Sequence, residues 1–196
     1  MSGDYKMDSF LSKQEIVEMG FKNVGKNVLI SRKASVYSPQ KISIGSNVRI
    51  DDFCVLSGTI SIGNYVHIAV FSAIFGGNAG VEIHDFANLS SRVSVYALSD
   101  DYSGASMTNP MVPDEFKNVT QKKVVIGKHV IIGASSVVLV GAFLSEGASF
   151  GAFSLINSYI EEWTINVGIP CKKIKDRSRK VQELEKKFYE MGENNG

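Results

Sequence analysis

The sequence predicts an all-β fold, a parallel β-helix of about six triangular coils. Three observations support this prediction. An aliphatic residue recurs every six residues over most of the chain, the residue two positions before it is usually small or β-branched, and glycine often follows it. A helix repeats about every 3.6 residues and a strand about every 2. A period of six fits neither element alone, but it fits three short strand-and-turn units wound around one axis.

The repeating aliphatic position, called the mark below, occurs eighteen times. Because side chains alternate along a strand, the mark and the residue two before it point to the same side, into one narrow core. A β-sandwich with fortuitous spacing is the alternative, but its turns come roughly every 8–12 residues and do not hold one period this long. The marks are Val24, Ile30, Val36, Ile44, Ile50, Leu56, Ile62, Ile68, Ile74, Ile83, Leu89, Val95, Ile126, Ile132, Val138, Leu144, Phe150 and Ile156.

The period is broken three times, and each break follows the third mark of a triplet. The extra residues lie between Val36 and Ile44, between Ile74 and Ile83, and, in the longest case, between Val95 and Ile126. All three insertions are therefore predicted to leave from one edge of the prism. Loops this long are uncommon in compact domains unless they are functional, so we expect a functional edge there. The alternative is a corner that merely tolerates insertions.

The predicted organisation has three parts: an N-terminal helical segment at 1–22, the β-helix at 23–170 with its loop at 99–123, and a C-terminal tail and helix at 171–196. A short helix is predicted over 8–21, with Ser12 as its cap and Glu15 three residues on. The last segment is predicted to form an amphipathic helix that covers the open end of the β-helix. Its apolar residues at helical spacing are Val181, Leu184, Phe188 and Met191.

The composition indicates a soluble, cytoplasmic protein. The 196 residues are 44% hydrophobic, with 21 basic and 20 acidic residues, a formal net charge of +1. This balance predicts no nucleic-acid partner, and no apolar run is long enough to insert into a membrane. The N-terminus lacks the apolar core of a secretory signal. The two cysteines lack metal-ligand spacing, so no metal is expected.

The eighteen marks, the excursion after VSVYALSDDYSG, the segment KVVIGKHVIIGASSVVLVGAFLSEGASFGAFSLI and the ending VGIPCKKIK together resemble a known family. They are similar to hexapeptide-repeat acyltransferases of the galactoside, maltose and xenobiotic acetyltransferase type, over roughly residues 24–175. The resemblance implies a left-handed β-helix and a homotrimer with three active sites between neighbouring subunits. It also implies that the donor, acetyl-CoA, runs along the C-terminal coils.

The resemblance also implies a donor site built from small corner residues, against which the pantetheine arm lies. Alternatively, the glycines among them only turn corners. The ending VGIPCKKIK resembles the segment beside the adenine of coenzyme A, where lysines can meet phosphates as point charges. The residues that match these positions are Gly133, Ala134, Ser135, Gly151, Ala152, Ser154, Lys172 and Lys173.

The sequence departs from the family at the catalytic position. Family members that acetylate sugar hydroxyls place a histidine, their general base, just after the coil that launches the long loop. Here Asp100 stands at that position, followed by Asp101. Of the three histidines, His84 is the best remaining candidate for a base. Its alternative is a structural role.

The departure favours an amine acceptor. A sugar hydroxyl needs a base to become nucleophilic, whereas an amino group has an appreciable neutral fraction near neutrality. A carboxylate such as Asp100 or Asp101 can bind an ammonium and help to accept its proton. Arg92 and Tyr102, expected on the same edge, could hold a phosphate or sugar hydroxyls. For Arg92 the alternative is a surface ion pair.

The sequence thus predicts an acetyl-CoA-dependent N-acetyltransferase that acts on a nucleotide-linked amino-sugar, in bacterial surface polysaccharide (O-antigen lipopolysaccharide) biosynthesis. Attack on the thioester is expected to be direct, because neither Cys54 nor Cys171 is placed like a nucleophile. One alternative is O-acetylation of a sugar hydroxyl with His84 as base. Another is a β-helix scaffold without catalytic activity. A carbonic-anhydrase-like β-helix would need clustered histidines, which the sequence lacks.

Overall fold

The computed structural model describes residues 9–193 and shows short parallel strands wound around one axis into a triangular prism. Residues 1–8 of the predicted N-terminal segment and residues 194–196 of the predicted tail lie outside the described residues. Each strand pairs with the strand one coil below and one coil above, so the backbone hydrogen bonds run along the axis.

Three faces make up the prism. The first face contains β1 (Asn23–Val24), β4 (Ile42–Ile44), the second halves of β6 (Val55–Ile62) and β8 (Ala73–Ile83), β13 (Val124–Ile126), β16 (Phe143–Leu144) and β19 (Tyr159–Ile160). The second face contains β2 (Val28–Ile30), β5 (Val48–Ile50), β7 (His67–Ile68), β9 (Asn88–Leu89), β14 (Ile131–Ile132), β17 (Ser149–Phe150) and β20 (Thr164–Val167), followed by the antiparallel β21 (Lys172–Asp176). The third face contains β3 (Ser35–Tyr37), the first halves of β6 and β8, β10 (Ser94–Tyr96), β15 (Val137–Val138) and β18 (Leu155–Ile156).

The core is the one that the six-residue period predicts. Every mark except Val24 and Val36 is buried, and those two pack against the core at its N-terminal end. Beyond the first coil, the residues two before the marks, such as Cys54 and Ala142, are buried as well. The predicted count of about six coils misses one, because Ile160 follows the mark Ile156 after only four residues and falls outside the period.

Three corners connect the faces. The loop corner joins the third face to the first and contains residues 38–41, 58–59, 76–80 and 97–123. The helix corner joins the first face to the second and contains residues 63–66, 84–87 and 127–130. The ridge corner joins the second face to the third and contains residues 51–54, 69–72, 90–93, 133–136 and 151–154. The three predicted insertions all leave from the loop corner, as expected.

The N-terminal helix α1 is shorter than predicted and spans Lys13–Glu18. Its predicted cap is present: the Glu15 N–H donates to Ser12 Oγ at 3.3 Å, and the Ser12 N–H donates to Glu15 Oε2 at 2.7 Å. These reciprocal bonds satisfy two of the amide groups that a helix start leaves unpaired. Ile16 is buried against the first coil, so α1 covers the N-terminal end of the core.

The C-terminal helix α2 (Lys180–Glu193) does not cover the open end of the prism, and that prediction was wrong. It lies against the helix corner. Glu185 binds Lys128 Nζ at 2.6 Å and His129 Nε2 at 2.7 Å. Partial burial opposes ionisation of Glu185, but these two contacts outweigh it and lower the pKa of the carboxyl.

Helix α2 packs on the helix corner because this corner carries a ladder of stacked aromatic rings. Tyr65 and Phe86 stack with centroids 4.9 Å apart, and Phe188 of α2 meets Tyr65 edge-on at 5.2 Å. Leu184 and Met191, predicted to belong to the packing face, are largely exposed instead. Within residues 9–193, neither helix is long and apolar enough to cross a bilayer.

Candidate active site

The long loop leaves the loop corner through a short antiparallel pair, β11 (Leu98–Ser99) and β12 (Thr120–Gln121). The pair packs on the glycine-rich segment FGGNAG (75–80) of the coil below, called the bulge. There the Asn78 N–H donates to Gln121 Oε1 at 2.8 Å. Gly77 lies under the same glutamine with a φ of 52°. The bulge and the loop therefore share one edge, as the sequence predicts.

Asp100 and Asp101 follow this pair directly, but their carboxylates differ. Asp101 Oδ1 accepts the Ser103 N–H at 2.8 Å, and hydrogen bonding to Ser103 lowers the pKa of its carboxyl. The Asp100 side chain is exposed, and its carboxylate makes no hydrogen bond or ion pair within residues 9–193. Tyr102 is 94% exposed. Asp100 therefore presents the more available carboxylate.

All three histidines lie away from the loop corner. His84 is exposed at the helix corner, and the width of the first face separates it from Asp100. His129 is buried at the same corner, stacked on Phe86 and paired with Glu185. His67 lies on the second face, with Nε2 2.9 Å from Asp51 Oδ2. The structure does not bring His84 together with Asp100.

Arg92 lies at the ridge corner, where its Nε donates to Ser135 Oγ at 3.3 Å. It was expected on the same edge as Tyr102, and this expectation was wrong. Arg92 comes just before the strand Ser94–Tyr96 of the third face, and Tyr102 comes after it. The two residues therefore lie at opposite edges of that face. Within one chain, the predicted phosphate contact and the predicted aspartates are therefore separated by the width of the third face.

The predicted donor residues Gly133, Ala134, Gly151 and Ala152 share the ridge corner with Ser135. The glycines are required by the stacking of coils. A Cβ at Gly133 would lie 2.5 Å from the Ala152 nitrogen, and one at Gly151 would lie 2.6 Å from the Val167 side chain. Their presence is thus explained without a ligand. Ala152 and Phe153 are exposed, so the outer surface of the corner is open at this coil.

Ser154 was expected among the corner residues whose backbone groups meet the pantetheine arm, but the structure does not leave it free for that contact. It is buried, and its hydroxyl donates to the Gly151 carbonyl at 2.7 Å. The reason is its position two residues before the mark Ile156, which turns the side chain into the core. The Ser154 N–H is also occupied, because it donates to Ser136 Oγ at 3.1 Å.

The two predicted phosphate-binding lysines lie on β21 and differ in their surroundings. Lys173 pairs with Asp176 at 2.9 Å and with Glu161 at 3.2 Å, and these carboxylates raise the pKa of its ammonium group. Two negative charges thus offset its one positive charge. Lys172 is exposed next to it. Of the two, Lys172 is better placed to meet an external phosphate.

A groove of about 490 Å³ lies on the second face, away from the loop corner. Its charged groups already satisfy each other, because Arg49 Nε lies 2.7 Å from Asp51 Oδ1 and Asp51 Oδ2 lies 2.9 Å from His67. The groove is also shallow. We therefore place the candidate site at the loop and ridge corners instead.

Neither cysteine is activated. Cys54 is fully buried, and burial raises the pKa of its thiol to about 11. Burial also raises the pKa of the Cys171 thiol. A nucleophilic cysteine needs the opposite shift, so the structure supports direct transfer without a covalent acyl-enzyme.

Sequence reasoning missed three exposed aromatic residues at the ridge corner, Phe53, Phe71 and Phe153. Each stands three residues after a mark, the same position that Arg92 and Ser135 occupy on their coils. All five adopt a left-handed backbone conformation, with φ between 57° and 63°. Aligning the hexapeptides on this position would have revealed the series.

No protein-family model matches the sequence. The chain is 53% identical over 183 residues to a dTDP-4-amino-4,6-dideoxy-D-glucose acyltransferase from Escherichia coli, covering 92% of this chain and 95% of the relative. It is also 26% identical over 166 residues, 80% of each protein, to WbbJ of E. coli K12, a candidate lipopolysaccharide biosynthesis O-acetyltransferase.

Among solved structures, AntD, an N-acyltransferase from Bacillus cereus, matches with a TM-score of 0.92 and 51% identity. The match covers 94% of this chain and 98% of AntD, which was solved with dTDP and 3-hydroxybutyryl-CoA. Other AntD structures hold coenzyme A with dTDP-4-amino-4,6-dideoxyglucose or dTDP. They include variants changed at a serine and at an aspartate ten residues further along.

These findings define the protein as a hexapeptide-repeat acyltransferase with the left-handed β-helix fold, as predicted. Within that class, the chain belongs to the family of CoA-dependent N-acyltransferases of nucleotide-linked amino-sugars. The predictions of an enzyme, of an acyl-CoA donor and of an amine acceptor are confirmed.

Proposed function

We propose that the chain transfers an acetyl group from acetyl-CoA to the 4-amino group of dTDP-4-amino-4,6-dideoxyglucose. The observation that carries this proposal is the 53% identity to the E. coli enzyme named for that sugar, over nearly the whole chain. The AntD complexes support it, because AntD binds the same amino-sugar together with coenzyme A. The aspartate pair at the loop corner fits an amine rather than a hydroxyl acceptor.

In this mechanism the amine nitrogen attacks the carbonyl carbon of the thioester. A C–N bond forms, the C–S bond breaks, and coenzyme A leaves as a thiolate. The attacking nitrogen must lose one proton, and we assign its acceptance to the carboxylate of Asp100, which passes it on to solvent or the thiolate. Backbone N–H groups near the loop would stabilise the negative oxygen of the tetrahedral intermediate. Asp101 is less suited, because its carboxylate holds the Ser103 N–H.

The spacing of the AntD variants supports this assignment. A serine followed ten residues later by an aspartate occurs twice in this part of the chain, as Ser90 with Asp100 and as Ser91 with Asp101. The available carboxylate of Asp100 favours the first pair. Ser90 lies at the ridge corner beside Arg92, whereas Asp100 lies at the loop corner. The serine and aspartate of this pair therefore come from two different corners.

The test is release of the CoA thiol with matched acceptors: dTDP-4-amino-4,6-dideoxyglucose and its 4-hydroxyl counterpart. We expect turnover with the amine only. Asp100→Asn should lower kcat/KM by roughly 10²–10⁴, the usual contribution of a positioned proton acceptor, while His84→Ala should leave it nearly unchanged. Turnover with the hydroxyl sugar, together with loss of activity in His84→Ala, would instead establish the O-acetyltransferase alternative.

The donor needs its own comparison, because AntD was solved with 3-hydroxybutyryl-CoA. Acetyl-CoA and 3-hydroxybutyryl-CoA should be supplied at equal concentration, with the acylated sugar identified by mass. The proposal expects a higher kcat/KM for acetyl-CoA. A preference for the longer chain would keep the reaction class and change the acyl group.

We further propose that the enzyme is a homotrimer with its sites between neighbouring subunits, and that it acts in the cytoplasm on sugars destined for surface polysaccharide. The separation of Asp100 from Arg92 by a whole face supports the shared site. The similarity to WbbJ supports the pathway. The modest net charge and the nucleotide-linked substrate support the location.

A further inference from the structure

The ridge corner carries one outward-pointing side chain per coil, in a straight series. From the N-terminal side these residues are Phe53, Phe71, Arg92, Ser135 and Phe153. Hydrogen bonds between successive corners keep them in register. The Phe71 N–H donates to the Asp52 carbonyl at 3.1 Å, and the Arg92 N–H donates to the Val70 carbonyl at 3.0 Å. Neighbouring coils are roughly 4.8 Å apart, the spacing of paired strands.

The other aromatic series, at the helix corner, is covered by helix α2. Phe188 and Tyr189 of α2 pack on Tyr65 and Phe86. Within residues 9–193, no such element covers the ridge corner. Its three phenylalanines Phe53, Phe71 and Phe153 are 49%, 52% and 68% exposed. Two of these rings lie on adjacent coils and the third three coils further along, and exposed aromatic rings grouped on one surface typically mark an interaction site.

The series is interrupted directly above Phe71. One face of this ring stacks on Phe53, with centroids 5.0 Å apart and planes at 10°. On the next coil Arg92 reaches away, towards Ser135 one coil higher, and makes no ring contact with Phe71. The neighbouring corner residues Ser91 and Ala134 are small. From Phe71 to Phe153 the corner spans three coil steps, roughly 14 Å, with only Arg92 and Ser135 in the series between the two rings.

This stretch of the ridge corner offers three kinds of contact in a fixed order. The uncovered face of Phe71 suits a flat ring, the Arg92 guanidinium suits phosphate oxygens through its forked donors, and small polar residues follow towards the predicted donor corner. A nucleoside diphosphate sugar carries a base, a phosphate group and a sugar in this same order. Its sugar would then reach the coils along which the thioester is expected.

We infer that the ridge corner binds the nucleotide of the acceptor, with the pyrimidine base stacked on Phe71, Phe53 supporting that ring from below, and the diphosphate at Arg92. This inference rests on the proposed function and names the residues that hold its substrate. It also gives the ridge corner a role separate from that of the loop corner, which supplies the proton acceptor.

The test measures dTDP binding by titration calorimetry, with coenzyme A binding and oligomeric state as controls in each variant. Phe71→Leu should weaken dTDP binding by roughly tenfold or more, the usual effect of losing one base–aromatic stack. Phe71→Trp should retain it. Arg92→Gln should weaken dTDP through the diphosphate. Tyr37→Leu, which changes an exposed aromatic residue on the third face of the first coil, should leave dTDP binding unchanged.

The outcomes separate this inference from the function on which it rests. If the unaltered protein binds no dTDP, the proposed function fails. If it binds dTDP and Phe71→Leu binds it equally well, only the inference fails. It also fails if affinity falls solely in preparations whose oligomer has dissociated, because the ridge corner is then an interface between copies of the chain. A loss of dTDP affinity with intact assembly and coenzyme A binding supports it.

Discussion

At the scale of single residues, Gly133 shows why glycine recurs in this sequence. The residue sits where one coil passes directly under the next, and a Cβ would lie 2.5 Å from the Ala152 nitrogen. That contact is with backbone, so no side chain can move aside to relieve it. Adding one methyl group must therefore push two coils apart, and overpacking of this kind typically destabilises a protein by about 1–3 kcal/mol.

Gly133→Ala should thus lower the melting temperature by several degrees, since about 1 kcal/mol corresponds to roughly 2–4 °C in a chain of this size. Gly104→Ala is the control. A Cβ there meets nothing within 4 Å, so only the strain of its φ of 84° remains. Thermal unfolding followed by circular dichroism compares the two. Equal shifts would mean that coil stacking does not constrain Gly133.

Residue by residue, the sequence predicts the core better than the surface. The marks could be found because burial and strand alternation impose a strict period on them. The burial of Ser154 was not foreseen because a corner residue and an inward residue can both be small and polar. Arg92 was placed at the wrong edge because the six-residue period does not show how far apart the two edges of the third face lie. The Phe53–Phe71 stack was missed because only the inward positions of the repeat were compared, and both rings stand at an outward corner position.

At the scale of elements, α2 illustrates the difference between predicting a helix and predicting its partner. Helical spacing of apolar residues identified the element, but its packing surface is set by the aromatic ladder of the helix corner. The helix contacts this ladder through Glu185 and Phe188, while Leu184 remains 54% exposed. The buried pairing of His129 with Glu185 fixes the position of the helix along the corner.

Phe188→Ala should therefore destabilise the protein by about 1–2 kcal/mol, because it removes a half-exposed ring that makes edge contacts with Tyr65 and Phe86. Leu184→Ala on the same helix should change the free energy of unfolding by less than about 0.5 kcal/mol. Urea unfolding of both variants decides the matter. The assigned packing face of α2 would be wrong if Leu184→Ala proved the more damaging change.

At the scale of the whole molecule, the prism keeps the two proposed functional groups on different corners. Asp100 belongs to the loop corner and Arg92 to the ridge corner, with the strand Ser94–Tyr96 between them. The β-helix is rigid, since each strand is bonded to the coils below and above it. We therefore propose that a site that uses both groups combines two copies of the chain.

A mixing experiment tests this directly. Assayed at a nucleotide-sugar concentration well below KM, Asp100→Asn and Arg92→Gln should each have strongly reduced activity alone, because every site in a symmetric ring then lacks one group. Mixed by unfolding and refolding at equal amounts, they should recover about a quarter of the unaltered activity, since random assembly restores both groups at that fraction of the interfaces. A double variant mixed with inactive Asp100→Asn serves as the control and should recover nothing. Absence of recovery in the first mixture, with trimers present by light scattering, would place both groups in one subunit's site and contradict the shared arrangement.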